Sequence, residues 1–176
     1  MRHISLITTG GTIEKTYDER TGSLENRRSI VRRMLGRLRL EDTQISVVEL
    51  MSKDSLLMDD VDRQRIVETV HALGGSPRLE TPTTGIVILH GTDTLERTGE
   101  ALLAAIPGPR IPIILTGAMR PFEMTRTDAL QNLTEAIFAA GVLAPGVYCV
   151  AHGRALAFPG VTKDRDRTTF VRQAGG

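Results

Sequence analysis

Five short apolar runs constrain this chain more than any other feature: ISLIT at 4–8, ISVVEL at 45–50, GIVIL at 85–89, IPIIL at 111–115 and GVYCVA at 146–151. They are rich in β-branched residues and lack polar alternation, so they read as strands covered on both faces, as in a parallel sheet. Helical patterns fill the intervals. Residues 26–39 place Ile30, Val31, Met34, Leu35 and Leu38 on one stripe, with the arginines at 27, 28, 32 and 33 largely off it. Asp59 and Asp60 cap a second helix carrying Val61, Val67, Val70 and Leu73, which stops at Gly74-Gly75. A third runs from Thr94 to Ile106; a fourth opens at Thr127 or Asp128, carries Leu130, Leu133 and Ile137, and stops at Gly141. The stretch GGSPRLETPTTG, 74–85, reads as a polar connection. Such alternation predicts an α/β fold with a doubly wound, mostly parallel sheet and helices on both faces.

The 176 residues suit a single domain. With 22 basic and 21 acidic residues the formal charge is +1, which gives no field to hold nucleic acid or an anionic membrane. Two Tyr, four Phe and no Trp leave few platforms for stacking bases. No apolar stretch approaches the roughly 18 residues of a spanning helix, and Met1-Arg2-His3 runs straight into a strand without a signal-peptide pattern. The expectation is a cytoplasmic protein with neither nucleic-acid nor membrane partners. Cys149, the one cysteine, reads as a small core residue and rules out a disulfide framework within the chain. His3, His71 and His152 show no ligand spacing with each other or with Cys149, so no metal site is expected.

Three of the runs lead at once into polar clusters: TTGGT (8–12), HGTDT (90–94) and TGAMRP (116–121). In an open parallel sheet the carboxyl ends of the strands form the binding crevice, so the three clusters should meet there. Turn glycines and capping threonines account for any one cluster, but poorly for three in register. A phosphate loop is the next reading of TTGGT, yet GxxxxGK[ST] and GxGxxG are both absent. The hydroxyls favour nucleophilic catalysis, since a threonine activated by a neighbouring group can attack a carbonyl. Thr92 and Asp93 set a hydroxyl and a carboxylate side by side at a helix start, where backbone amides can hold an oxyanion. His90 reads as a structural hydrogen-bonding residue at a strand end, and no GxSxG elbow supports a serine hydrolase.

TTGGTIEK, HGTDTLE, TGAMRP and GVTKD, in this order and spacing, resemble the bacterial-type L-asparaginases, the threonine amidohydrolases. The resemblance implies a flavodoxin-like fold similar to the N-terminal domain of those enzymes. It also implies hydrolysis of L-asparagine to L-aspartate and ammonia through an acyl-enzyme, with no cofactor. Carried over residue by residue, the nucleophile matches Thr12 and the hinge-loop tyrosine assisting it matches Tyr17. Ser52 matches the serine that binds the substrate carboxylate. Thr92, Asp93 and Lys163 match the second catalytic cluster, in which Asp93 also binds substrate; the backbone amides of Thr92 and Ala118 match the oxyanion hole.

Most members of the family carry a second, C-terminal domain that lends an acidic residue to a neighbouring site, and no such residue can be assigned here. The chain is then either a truncation or a naturally short form; its length and its continuation past Lys163 to Phe170 favour the expectation of a short form, a single catalytic domain over 1–176 that forms a dimer or a tetramer. The loop from Thr12 to Glu25 is short, and Lys53 stands where glutamine is common; both features predict a looser substrate pocket. Two rival readings are an ammonia-releasing subunit of a tRNA-dependent amidotransferase and a catalytically silent module that senses an amino acid.

Overall fold

The computed structural model describes residues 1–75 and 83–173, and all five apolar runs are strands of one sheet. The strands and helices used below are β1 (Arg2–Gly10), β2 (Thr16–Asp18), β3 (Ser23–Glu25), α1 (Val31–Leu35), β4 (Thr43–Lys53), α2 (Asp60–Gly75), β5 (Gly85–Leu89), α3 (Leu95–Ala105), β6 (Pro112–Thr116), α4 (Ala129–Val142), β7 (Gly146–Ala151), β8 (Arg154–Ala157), β9 (Val161–Asp164) and β10 (Thr169–Arg172). The sheet runs β4-β1-β5-β6-β7-β8, parallel except for the antiparallel β7–β8 pair. Strand order reverses beside β1, so the crevice of this doubly wound sheet opens where β1 and β5 end.

The lack of polar alternation in β1, β5 and β6 has a direct cause. Ile4, Leu6, Val87, Leu89 and Ile114 join the core under α1 and α4, while Ile7, Ile86, Ile88, Ile113 and Leu115 join the core under α2 and α3. Successive side chains face opposite sides, and neither side is wet.

β4 departs from the expectation of cover on both faces. It is an edge strand paired only with β1, and Gln44, Ser46 and Glu49 are exposed. The helix expected over 26–39 shrinks to Val31–Leu35. Ser29 Oγ and the Ile30 N–H both donate to the buried Glu14 carboxylate, which pins the chain in a non-helical approach, and Gly36 follows the last helical residue. Most of the connection read over 74–85 lies outside the described residues. The sequence reading did not separate two antiparallel pairs, β2–β3 and β9–β10, which flank the crevice and carry Tyr17 and Lys163.

Candidate active site

The turn after β1 is built by Gly10 and Gly11, at φ 97° and 82°, in the left-handed region that other residues occupy with strain. Gly11 also presses on the main chain of Gly91, leaving no room for a Cβ; Gly117 meets the His90 carbonyl in the same way. The TTGGT, HGTDT and TGAMRP turns are therefore packed backbone to backbone, and the sequence expectation that they meet is met.

Thr12 opens a short 3-10 turn, Thr12–Glu14, and is partly accessible; its hydroxyl makes no hydrogen bond with another described residue. Ile13 fixes the turn from below by complete burial. Glu14 is also buried and accepts from the Gly10 N–H (3.2 Å), the Ile30 N–H (3.3 Å) and Ser29. Burial pushes its carboxyl up to about 7, against the pull of these donors.

Across the crevice, the Lys163 ammonium in β9 donates to Thr92 Oγ1 at 2.8 Å and to Asp93 Oδ1 at 2.9 Å. The Lys163 N–H donates to Glu96 of α3 at 3.3 Å, tying β9 to the helix that follows HGTDT. Arg165 adds a second cation to Asp93 Oδ1 at 2.9 Å, while Asp93 Oδ2 takes no hydrogen bond from a described residue. Burial works to raise the Asp93 carboxyl, but Lys163 and Arg165 outweigh it and hold it below the ordinary carboxylate value. The N–H groups of Thr92 and Ala118 donate to no other described residue.

Ser52, next to last in β4, lies beside Gly10, and its hydroxyl is buried without a partner among the described residues. A buried hydroxyl of this kind is one that a ligand oxygen can satisfy. Lys53 turns away, pairing with the nearly buried Asp62 of α2 at 2.7 Å. Lys15 instead reaches across the crevice edge to Asp54 at 2.7 Å; this hydrogen bond is the main force lowering the Asp54 carboxyl.

Behind Ala118, Asp128 accepts the Met119 N–H (3.0 Å) and the Arg120 N–H (3.0 Å), while Asn132 Nδ2 donates to the Gly117 carbonyl (2.9 Å). The start of α4 thus fixes the third turn. His90 is fully buried: Nδ1–H donates to the Gly91 carbonyl and Nε2 accepts from Thr98, both at 2.8 Å. Burial pushes its pKa down to about 4, so the ring is neutral and structural.

No hydrogen bond joins Tyr17 to Thr12. Tyr17 stands on the β2–β3 hairpin at 58% exposure, and its phenol makes no hydrogen bond with a described residue. The hairpin is held instead by Glu123, which accepts from the Tyr17 N–H (3.1 Å) and pairs with Arg33 (2.9 Å).

Glu14 and Arg165 were missed in the sequence. Arg165 looks like one more charge in KDRDR; only the β9–β10 turn brings it to Asp93. Glu14 had a faint signal, an acid between Ile13 and Lys15 within a motif turn. Among the described residues, no group of three or more His, Cys, Asp or Glu side chains is placed to hold a metal. No helix among them is long and apolar enough to cross a membrane.

Residues 3–170 match the family described as asparaginase, N-terminal. A component of the glutamyl-tRNA(Gln) amidotransferase of Methanococcus vannielii is 32% identical over 153 residues, covering 87% of this chain and 35% of that protein. An L-asparaginase of Thermococcus kodakarensis is 32% identical over 143 residues, covering 81% of this chain and 42% of that one. Among solved structures, the thermostable L-asparaginase from T. kodakarensis superposes with TM-score 0.78 at 31% identity, over 92% of this chain and 47% of that one. L-asparaginase I from Vibrio cholerae gives TM-score 0.79 at 25% identity, over 97% and 51%. The chain thus spans about a third to a half of the length of these relatives. With the family match running through all three crevice turns and on past Lys163, this protein belongs to the asparaginase family.

Proposed function

We propose that this protein is an L-asparaginase, hydrolysing L-asparagine to L-aspartate and ammonia through Thr12. The observation that carries the reading is the Lys163–Thr92–Asp93 cluster across a backbone-packed crevice from an unengaged Thr12 hydroxyl. Thr12 Oγ1 attacks the side-chain amide carbon and gives up its proton; the resulting oxyanion is held by the N–H groups of Thr92 and Ala118. Collapse breaks the C–N bond, and ammonia leaves with the proton, so that the aspartyl group is esterified to Thr12. Water, oriented by Thr92 and Lys163, then attacks the ester and restores the Thr12 hydroxyl.

The rest of the crevice supports an amino-acid substrate. Asp93 Oδ2 is free to accept the α-ammonium, and the unpartnered Ser52 hydroxyl is free to donate to the α-carboxylate. Tyr17 enters when the β2–β3 hairpin folds down on the bound substrate, and its phenol then assists Thr12. The proposal includes a cytoplasmic location, and a dimer or tetramer in which the site of this chain works without organic cofactor or metal.

Ammonia release from L-asparagine and L-glutamine, at millimolar substrate, tests the reading. We expect release from L-asparagine by the wild type and loss of about 10³-fold or more in Thr12→Ala. A second reading is favoured by the 32% identity to the M. vannielii amidotransferase component: release of ammonia for use by a partner. It predicts little activity alone and a rise when a partner is added. Retained asparagine binding with no release by the wild type would instead make this a silent sensing module.

A further inference from the structure

Beside the TGAMRP turn lies a second cleft, of about 400 Å³, lined by that turn, the start of α4 and the β9–β10 hairpin. Its rim carries Arg120, Arg126 and Arg167, all exposed, and none forms an ion pair with a described residue. Its floor is a hydrogen-bonded chain: Thr169 Oγ1 to His152 Nδ1 at 2.8 Å, then His152 Nε2 to Asp128 Oδ2 at 2.8 Å. Asp128 cannot serve the arginines, because its oxygens are filled by the Met119 and Arg120 N–H groups, Asn132 and His152. Glu123 is paired with Arg33, Asp164 accepts the Arg167 N–H rather than meeting its guanidinium, and Asp166 forms no ion pair with a described residue.

The backbone reinforces the picture. Among the described residues, four non-glycine residues hold a left-handed φ, and three of them, Arg126 (57°), His152 (54°) and Thr168 (49°), line this one cleft. Residues kept in sparsely populated conformations gather at sites where the surroundings fix them for a purpose. Three unpaired arginines lining one cleft repel one another, and an anion relieves that repulsion while offering oxygens to their planar forks.

We propose that this cleft binds a small oxyanion, a phosphate or a carboxylate group, through Arg120, Arg126 and Arg167. The cleft shares no lining residue with the proposed asparagine pocket, although Asp128 joins the two by holding the N–H groups of the turn that bears Ala118. The binding claim is independent of the amidohydrolase reading.

Calorimetric titration with inorganic phosphate and, separately, with succinate tests it, on the wild type, on Thr12→Ala and on an Arg126→Ala/Arg167→Ala double variant. Both arginines are exposed, and an unchanged melting temperature checks that the variant is folded. We expect saturable binding by the wild type and Thr12→Ala, weakened about tenfold or more in the double variant and by added salt. Preference between the two probes tells a phosphoryl ligand from a carboxylate one. Binding of neither probe, or equal binding by the double variant, would overturn the proposal.

Discussion

Thr92 is buried, and its hydroxyl is already taken by Lys163, whereas Thr12, on the turn packed against Gly91, is partly open with its hydroxyl unengaged. Around Thr92 the side chains lock one another: Lys163 holds Thr92 and Asp93, Glu96 holds the Lys163 backbone, and Arg165 backs Asp93. Around Thr12 the flanking side chains of Ile13, Glu14 and Lys15 are held, but the Thr12 hydroxyl bonds to no other described residue, and Tyr17 points to solvent from its hairpin. One wall of the crevice is complete without substrate. On the proposed reading the substrate and the hairpin complete the other, and that reading predicts different kinetic signatures for residues on the two walls.

The largest effect should come from the completed wall. Lys163→Met removes the donor shared by Thr92 and Asp93, and kcat should fall by roughly 10²- to 10⁴-fold, with a smaller change in melting temperature, since Arg165 still faces Asp93. Steady-state ammonia assays beside thermal melts would show it. A loss in KM alone would mean that the cluster binds substrate and takes no part in the reaction.

Next comes Glu14, beneath the waiting wall. Its carboxyl titrates at about 7 when folded, against 4.5 for the unperturbed group. The folded protein therefore binds the proton more tightly, and stability falls as pH rises from about 4.5 to about 7, by on the order of 3 kcal/mol. Glu14→Gln cannot ionise. Denaturant unfolding should show its stability gaining on the wild type through that window and holding level above it; a gap independent of pH would mean that this carboxyl does not titrate inside the turn.

The smallest effect should be that of Tyr17→Phe. If the hairpin completes the second wall, kcat/KM drops by roughly ten- to a hundredfold, with KM and kcat both affected. Because the phenol is exposed, unfolding free energy should stay within about 0.5 kcal/mol of the wild type. Unchanged kinetics would leave the hairpin without a part in the reaction.

The same division explains what the sequence disclosed. β1, β5, β6 and β7 were legible because strands dry on both faces must be apolar throughout, and that pattern has few other readings. The helix near residue 30 was overextended because its stripe is real, while Ser29 and Ile30 answer to Glu14, a partner some fifteen residues upstream. Thr12, Thr92, Asp93 and Lys163 stood in recognisable motifs, and three of these four do converge in one hydrogen-bonded group. Arg165 and the arginine cleft could not be seen, since exposed charges in KDRDR and MTRT carry no pattern until a hairpin and a helix start bring them together.

The crowding of Gly11 on Gly91, and of Gly117 on the His90 carbonyl, bears on how this crevice can change over time. With no side chain between the turns to shrink or swell, the floor cannot be tuned by gradual substitution: even a methyl group at one turn dislodges its neighbour. Variation is left to the rim, where Tyr17 on β2, Lys15 beyond the Thr12–Glu14 turn and Arg165 beyond β9 stand on separate segments. New substrate preferences on this scaffold should therefore be sought in the hairpins, with the three turns inherited as a single unit.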